Sequence, residues 1–196
     1  HDGAQPSDAD YRLALGEIAA LEDVSIVAAP GSSAYVDGRA IAGSLIAHAE
    51  GRRAYRIAVL DTPPEQTPGQ VREMRGQMDS RYAALYYPWV VVANPNARPG
   101  REDIPREIAL PPSGYVCGIY ARNDIQRGVH KAPANEVVRS ALRFELDVNF
   151  GQQEVLNPIG VNCLRLLSGR GYRVWGARLI SSARTTRSRS SSIGSE

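Results

Sequence analysis

The side chains that could act as nucleophiles or bases are few and widely separated in this sequence. The histidines are His1, His48 and His130, and the cysteines are Cys117 and Cys163. A thiol hydrolase would need Cys117, His130 and Asp124 to meet. Cys117 falls inside a predicted helix, however, and not at a helix start, where a thiol pKa is lowered. The residue types and their spacing therefore predict no catalytic site and no enzyme activity.

Ligand sites are also weakly indicated. Neither cysteine has a second Cys or a His at the spacing of a zinc site, so we predict no metal and no cofactor. The run Gly169-Arg170-Gly171 has the glycines of a phosphate loop, but it precedes a strand and not a helix, which favours a turn between paired strands. Asp61 follows a predicted strand, where α/β proteins often bind ligands, although a polar residue that only ends the strand explains it as well.

Length and composition define a globular protein. With 196 residues, 43% of them hydrophobic, the chain can form a substantial core. Its net charge of +2 is too small to indicate nucleic acid as a partner. No apolar run approaches the about 20 residues of a membrane span. The start of the chain lacks the features of a signal peptide and an initiating Met, so we expect a segment of a longer protein. We also expect both thiols to be buried and reduced.

Helical and strand patterns alternate through the first half of the chain. Helices are predicted over 8–21, 40–50 and 67–78, the last with Thr67 as N-cap and Pro68 at its first position. Strands are predicted over 24–29, 56–60 and 85–92, the third interrupted by Pro88. Strands separated by helix-length segments indicate right-handed crossovers. The predicted fold class is therefore α/β, with a mainly parallel sheet flanked by helices.

The sequence pattern in the second half of the chain predicts an α+β segment. A loop over 94–107 precedes a helix that Ser113 caps, with Gly114 and Gly118 on a tightly packed face. A strand over 137–150 and one helical turn over 152–156 follow. Two apolar runs, 161–167 and 172–180, then fold into a C-terminal β-hairpin, because the glycines between them allow a tight reversal.

The predicted hairpin contains residues suited to protein–protein contact. We predict that its assembly contacts are Arg165, Arg170, Arg173, Trp175 and Arg178. Beyond it, residues 183–196 are rich in Arg and Ser and almost free of apolar side chains. We expect this tail to be disordered, with an RNA-binding arginine–serine segment as the alternative.

Three blocks of sequence follow one another between residues 80 and 182. The first, 82–89, reads Y-A-A-L-Y-Y-P-W. The second contains P-P-S-G-Y-V-C-G-I-Y-A-R-N-D and then G-V-H-K-A-P-A-N. The third contains N-P-I-G-V-N-C-L-R and then G-R-G-Y-R-V-W-G-A-R. Together they resemble the contractile tail sheath proteins of phages and phage-tail-like particles.

The resemblance implies both a fold and a function. The fold would be a subtilisin-like sheath domain without a working catalytic triad, divided into a core part over 1–108, a C-terminal sheath region over 109–182 and the tail over 183–196. The chain would be a structural subunit that polymerises around an inner tube and contracts to drive that tube through a cell envelope. It would be made in the bacterial cytoplasm and end in the virion or a related particle.

The resemblance also implies partners. These are other copies of the subunit, the tail tube protein and baseplate proteins, with no nucleic acid and no membrane insertion. The chain lacks the regions that flank this part in the family, and its tail suggests a truncated or frameshifted reading frame. Two alternatives therefore stay open: a non-catalytic α/β interaction domain, and a degenerate prophage fragment unable to assemble.

Overall fold

The computed structural model describes residues 4–128 and 131–181. Its strands, in chain order, are β1 (Ile26–Ala28), β2 (Ile57–Asp61), β3 (Ala83–Tyr87), β4 (Val90–Ala93), β5 (Glu107–Leu110), β6 (Glu136–Val137), β7 (Arg143–Phe144), β8 (Val161–Leu167) and β9 (Gly171–Val174). Its α-helices are α1 (Asp8–Ile18), α2 (Gly38–Ala49), α3 (Pro68–Arg75), α4 (Pro112–Arg127) and α5 (Phe150–Leu156). None of these described helices is both long and apolar enough to cross a membrane.

A mainly parallel sheet of six strands forms the centre of the fold. Its order is β1-β2-β3-β8-β9-β6. The first four strands are parallel, and β9 is antiparallel to both of its neighbours. A smaller antiparallel sheet has the order β5-β4-β7. The prediction of an α/β fold with a mainly parallel sheet and flanking helices is confirmed.

Local sequence determines where three of the helices begin. Ser7, Thr67 and Asn149 each form a capping box, in which the cap side chain and the side chain three residues later accept each other's backbone N–H. Pro68 stands at the start of α3, where its missing N–H costs no hydrogen bond. The cap and the proline predicted for this helix are both confirmed.

Two apolar clusters cover the two faces of the six-stranded sheet. The first packs α1, α2, α3 and α5 against one face, with Ile41 and Leu156 among its fully buried residues. The second packs α4 and the smaller sheet against the other face, with Val116 and Val90 fully buried. Both faces are therefore apolar, which explains why β3 is buried along its whole length.

The interruption predicted at Pro88 is present, but the two parts of the strand predicted over 85–92 belong to different sheets. The chain divides at Pro88, so that β3 ends at Tyr87 in the large sheet and β4 begins at Val90 in the small one. Proline has no N–H to donate to a ladder, and a chain can leave a sheet at such a residue. The predicted loop over 94–107 includes the first residue of β5, because Glu107 pairs with Ala93.

The predicted strand over 137–150 is wrong. The chain forms only the two short strands β6 and β7 there, and Phe150 already begins α5. Between the two strands Ser140 has a φ of 63°, a left-handed conformation that interrupts an extended run. The second apolar run of the hairpin, predicted over 172–180, is a strand only as far as Val174.

Helix α4 begins differently from the prediction. Its N-cap position is Pro111, and Ser113 lies inside the first turn, where it does not cap the helix. Gly114 and Gly118 are exposed, and a Cβ on either would meet no atom within 4 Å. The predicted tightly packed glycine face is therefore wrong. The face that packs is apolar, and Val116 and Ile119 are buried on it.

Candidate assembly surface

The segment after β9, residues 175–181, runs back across the sheet, and we call it the C-terminal strap. The Trp175 N–H donates to Cys163 O in β8 at 2.8 Å. Further along, the Ile180 N–H donates to Ala83 O in β3 at 2.9 Å, and Ile180 O accepts from the Ser80 N–H at 2.9 Å. The strap therefore ties β8 to the start of β3.

Asn162 in β8 holds the middle of the strap. Its side chain is fully buried. Its Oδ1 accepts from the Arg178 N–H at 2.7 Å, and its Nδ2 donates to Arg178 O at 2.8 Å and to Leu85 O at 3.2 Å. Only a side-chain amide offers a donor group and an acceptor of this shape, so Asn162 serves the strap and β3 together.

Two glycines allow the strap to approach β8 closely. A Cβ on Gly176 would lie 2.7 Å from Asn162 Oδ1 and 3.1 Å from the Asn162 Cα. A Cβ on Gly160, whose φ is +88°, would lie 2.6 Å from Leu179 O. Gly160 and Asn162 of the N-P-x-G-x-N motif and Gly176 of the W-G-A-R motif thus form contacts within the chain. Sequence reasoning did not predict this role for Gly160, Asn162 or Gly176.

Two of the predicted assembly arginines bind inside the chain. Arg165 Nε donates to Val148 O at 2.8 Å, and its Nη1 donates to Gln153 Oε1, so the guanidinium joins β8 to α5. Arg173 Nη1 donates to Asn135 O at 2.7 Å. These bonds use the guanidinium groups to fix loops around the hairpin.

The other three predicted contacts differ in exposure. Arg170 and Arg178 have exposed side chains, whereas Trp175 is half-buried. Strand β9 is not a free edge, since β6 pairs with it on the side away from β8. As contacts to a neighbouring subunit, all five residues of the set remain predictions, and Arg170 and Arg178 are the most accessible of them.

A cluster of positive charge lies around Glu136 in β6. Its carboxylate lies 2.9 Å from Lys131 Nζ, 3.5 Å from Arg122 Nη2 and 3.7 Å from Arg127 Nη1. The hydrogen bond from Lys131, with the charges of all three cations, lowers the pKa of Glu136 below its usual range. Three cations thus share the carboxylate of Glu136.

A groove of about 270 Å³ opens beside this cluster, and we call it the α4 groove. Its apolar lining includes Ile57 at the start of β2, Pro133, and Leu179 of the strap. Lys131 and Arg178 line it with positive charge, and Asp124 contributes a carboxylate. The groove thus combines an apolar floor with a mainly basic rim.

Asp61 has a structural role that the sequence left open. Its carboxylate accepts from the Ser113 N–H and from the Ser113 Oγ–H, each at 2.6 Å, and so joins the end of β2 to the first turn of α4. Burial raises the pKa of Asp61 to about 6, although the bonds from Ser113 act in the opposite direction. The carboxylate fills the hydrogen-bonding position that Pro111 cannot fill at this helix start.

The remaining reactive groups do not converge. Burial raises the pKa of the Cys117 thiol to about 11 and that of Cys163 to about 12, so neither is a thiolate near neutral pH. His48 Nε2 accepts from Arg56 Nη1 at 2.6 Å, and burial together with the Arg56 charge lowers its pKa. His1 and His130 lie outside the described residues, within which no group of three potential metal ligands occurs.

Comparison with known proteins identifies the class to which this fold belongs. The sequence model of a protein family, described as the phage tail sheath protein central domain, matches residues 4–178. The chain therefore belongs to the phage tail sheath protein family, and the resemblance seen in the sequence is confirmed. Comparison with curated protein sequences found no significant match.

Solved structures give the same class. The chain is similar to the helical sheath of the anti-feeding prophage (AFP) in the contracted state, with 26% identity, a TM-score of 0.72 and coverage of 93% of this chain and 46% of that one. It is similar to the contracted sheath of PVC, an extracellular contractile injection system, with 30% identity, a TM-score of 0.67 and coverage of 85% and 42%.

A chain of the AFP baseplate also matches, with 26% identity, a TM-score of 0.64 and coverage of 94% and 53%. In all three comparisons this chain spans about half the length of the protein it matches.

Proposed function

We propose that this chain forms the central body of a contractile sheath subunit, which polymerises around an inner tube and contracts to drive that tube through a cell envelope. The observation that supports this most strongly is the likeness to the contracted AFP sheath over 93% of the chain. The partners of such a subunit are further copies of itself, the tail tube protein and the baseplate. Its place is the tail sheath of a phage or a phage-tail-like particle, after synthesis in the bacterial cytoplasm.

The proposed mechanism requires rigidity of the body. Subunits shift past one another on contraction while each body keeps its shape, and the free energy comes from the metastable extended assembly. The strap supports this role, because Asn162, Gly160 and Gly176 lock the last described residues onto β3 and β8. A body closed in this way passes force from its end to its core without unfolding.

The same proposal includes the absence of catalysis. Both thiols have a raised pKa, and Asp61 is occupied by Ser113 and the start of α4. We also propose that the core is related to a subtilisin-like domain, and that the chain divides into a core part over 1–108, a C-terminal region over 109–182 and a tail over 183–196. The tail lies outside the described residues.

A non-catalytic interaction domain, or a fragment unable to polymerise, is the second candidate. The observation that favours it is that the chain spans about half of each sheath protein it matches. Assembly of whole sheath proteins can depend on contacts that the matched half does not supply. The two candidates differ in whether this body can assemble into a tube.

A grafting experiment distinguishes them. Residues 4–178 would replace the matching part of the AFP sheath chain, and the purified graft would be studied by negative-stain electron microscopy. The sheath proposal predicts tubes of the width formed by the unmodified AFP chain under the same conditions. Circular dichroism would first establish that the graft is folded. A folded graft that forms no tubes where the parent chain does would contradict the proposal and favour the interaction domain.

A further inference from the structure

We propose that the α4 groove is an interface between copies of this chain, and that it binds the turn Leu21-Glu22-Asp23 of a neighbouring copy. The inference rests on the proposed function, since a sheath places many copies side by side. In this contact Leu21 covers the apolar floor of the groove, while Glu22 and Asp23 meet the basic rim.

The groove has the charge and polarity to select such a segment. Lys131 and Arg178 line it against the single carboxylate of Asp124, and Arg127 lies beside it, where it shares the Glu136 carboxylate with Lys131. The Arg127 side chain is 55% exposed, whereas that of Glu136 is only 16% exposed. An approaching partner therefore meets the cations before the carboxylate that partly neutralises them.

The turn has the complementary character. Leu21, Glu22 and Asp23 are all exposed, and Leu21 keeps 48% of its surface in solvent. Arg56 holds the backbone on both sides of the two acids, since Nη2 donates to Leu21 O and Nε donates to Val24 O at 3.0 Å. A turn that is already fixed loses little conformational entropy on binding, which favours it over a free peptide segment.

The two surfaces differ but lie near each other, since Arg56, which holds the turn, directly precedes Ile57, which lines the groove. The turn connects α1 to β1, at one edge of the large sheet, while the groove lies on the α4 side and is lined by the strap. A contact between two different surfaces is heterologous, and it extends from copy to copy unless the rotation closes a ring. This is the kind of contact that a helical tube requires.

Charge argues against the chain's own tail as the occupant. Residues 182–196 contain Arg184, Arg187 and Arg189 but only one acid, Glu196. These arginines would face the cations of the groove rim, and like charges in contact repel. An acidic segment is required, and the turn of a second copy provides it.

Charge reversal followed by mixing tests the contact. Variant A is Glu22→Lys with Asp23→Lys, and variant B is Arg127→Glu with Arg178→Glu. Self-association of the full chain would be measured by sedimentation equilibrium at low ionic strength, where screening is weak. We expect each variant alone to associate on the order of tenfold more weakly than the original chain. The mixture of A and B should recover the loss, because each reversed surface then meets its opposite.

Matched controls separate this contact from a net-charge effect. Glu73→Lys with Glu102→Lys adds the same charge as variant A, and Arg98→Glu with Arg106→Glu adds the same charge as variant B, all at exposed positions away from both surfaces. The inference requires that A and B lose more, and that their mixture recovers more, than the control pair. Equal behaviour of the two pairs, or an original chain that does not associate at all, would overturn it.

Failure of this contact and failure of the sheath proposal give different experimental results. Tubes that form with unchanged yield from a graft carrying variant A or variant B would remove this contact and leave the sheath proposal standing. Charge-dependent pairing of a chain whose folded graft forms no tubes would remove the sheath proposal and leave the contact.

Discussion

At the scale of single residues, Asp61 shows how a functional-looking side chain can be structural. It stands at the carboxyl end of a buried strand, where ligand-binding acids often occur. The structure gives it Ser113 as a partner, with the backbone N–H and the hydroxyl both at 2.6 Å. The sequence indicated the position at the strand end but not the partner, because Ser113 is distant in the chain and reaches Asp61 only through the packing of α4.

The raised pKa of Asp61 leads to a prediction about pH. A carboxyl whose pKa is about 6 when folded and 3.8 in the unfolded chain holds its proton better in the folded state. Its contribution to the free energy of unfolding is therefore fully present below pH 3.8 and is lost as pH rises through about 6. Asp61→Asn, which cannot ionise, should reduce the fall in stability across this interval, as measured by urea unfolding at several pH values.

An exposed aspartate provides the control for this experiment. Asp147→Asn makes the same substitution at an exposed position, and the account requires that Asp61→Asn changes the pH dependence more than this control does. Equal slopes for the original chain and Asp61→Asn would show that the carboxyl ionises as easily when folded as when unfolded. The account of Asp61 as a buried, proton-retaining group would then fail.

The lowered pKa of His48 predicts a pH dependence of stability opposite to that of Asp61. The contribution of His48 to stability is present above the ordinary pKa of 6.5 and is lost as pH falls through the lower folded value. Protonation would place a positive ring nitrogen against the Arg56 guanidinium that now donates to it. His48→Gln should weaken this acid destabilisation, and NMR titration of the ring would give the folded pKa directly. A folded pKa at or above 6.5 would contradict the proposed pairing.

At the scale of elements, the strap is the feature that the sequence predicted least well. The apolar run over 172–180 has strand-like composition, yet only its first part pairs as β9. Beyond Val174 the backbone must pass over Asn162 and Gly160, and those contacts depend on the tertiary arrangement. Period-two patterning cannot distinguish a strand from a strap that is bound by a side-chain amide.

The start of α3 could be predicted from local sequence, whereas the start of α4, where the distant Asp61 binds Ser113, could not. The boxes at Thr67 and Ser7 use neighbours three residues apart, so the sequence alone contains both partners. The division at Pro88 into strands of two sheets depends on distant partners, because β4 pairs with β5 and β7. In the same way, the basic cluster around Glu136 joins α4 to β6 and was not predicted as a site.

A pair of glycine substitutions tests the close approach of the strap. Gly176→Ala should lower the free energy of unfolding by about 2 kcal/mol, since its Cβ would lie 2.7 Å from Asn162 Oδ1. Gly118→Ala is the matched control in an open, exposed part of α4, and it should be neutral or stabilise by up to about 1 kcal/mol. Equal effects in thermal or urea unfolding would show that the strap does not press on β8.

Asn162→Ala tests the lock itself. The substitution removes the amide that binds Leu85 O and the Arg178 N–H and O, and each lost hydrogen bond costs about 0.5–1.5 kcal/mol. We expect faster amide hydrogen exchange at Ile180, whose N–H donates to Ala83 O at the far end of the strap. Exchange at Val59 in the middle of β2 should change only as much as global stability does. Unchanged protection of Ile180 would mean that the strap is held without Asn162.

At the scale of the whole molecule, the likeness to contracted sheaths covers nearly the entire chain, while the chain covers about half of those proteins. Three residues of the family-like motifs, Gly160, Asn162 and Gly176, hold the strap on the sheet. Under the proposals above, contact with neighbouring copies uses exposed groups such as Arg178 and the α4 groove. These proposals therefore assign folding of the body and contact between bodies to different residues.

Two arginines of the predicted assembly set separate these two roles experimentally. Arg178→Glu should leave the unfolding free energy within about 0.5 kcal/mol of the original, because its side chain is exposed, and should reduce tube yield in the grafted protein. Arg165→Glu should destabilise the folded chain, because its guanidinium binds Val148 O and Gln153. The reverse pattern, with Arg165 governing assembly and Arg178 governing folding, would contradict the assignment.

Helical reconstruction by cryo-electron microscopy of tubes formed by the grafted chain would test the central claim most directly. The account predicts that residues 4–128 and 131–178 fit the density of a contracted tube as one rigid body, with Arg178 still bound to Asn162 at backbone level. Repeating copies should surround a central channel, as a sheath requires. Density in which the strap has left β8, or a folded graft that never forms a tube, would contradict it.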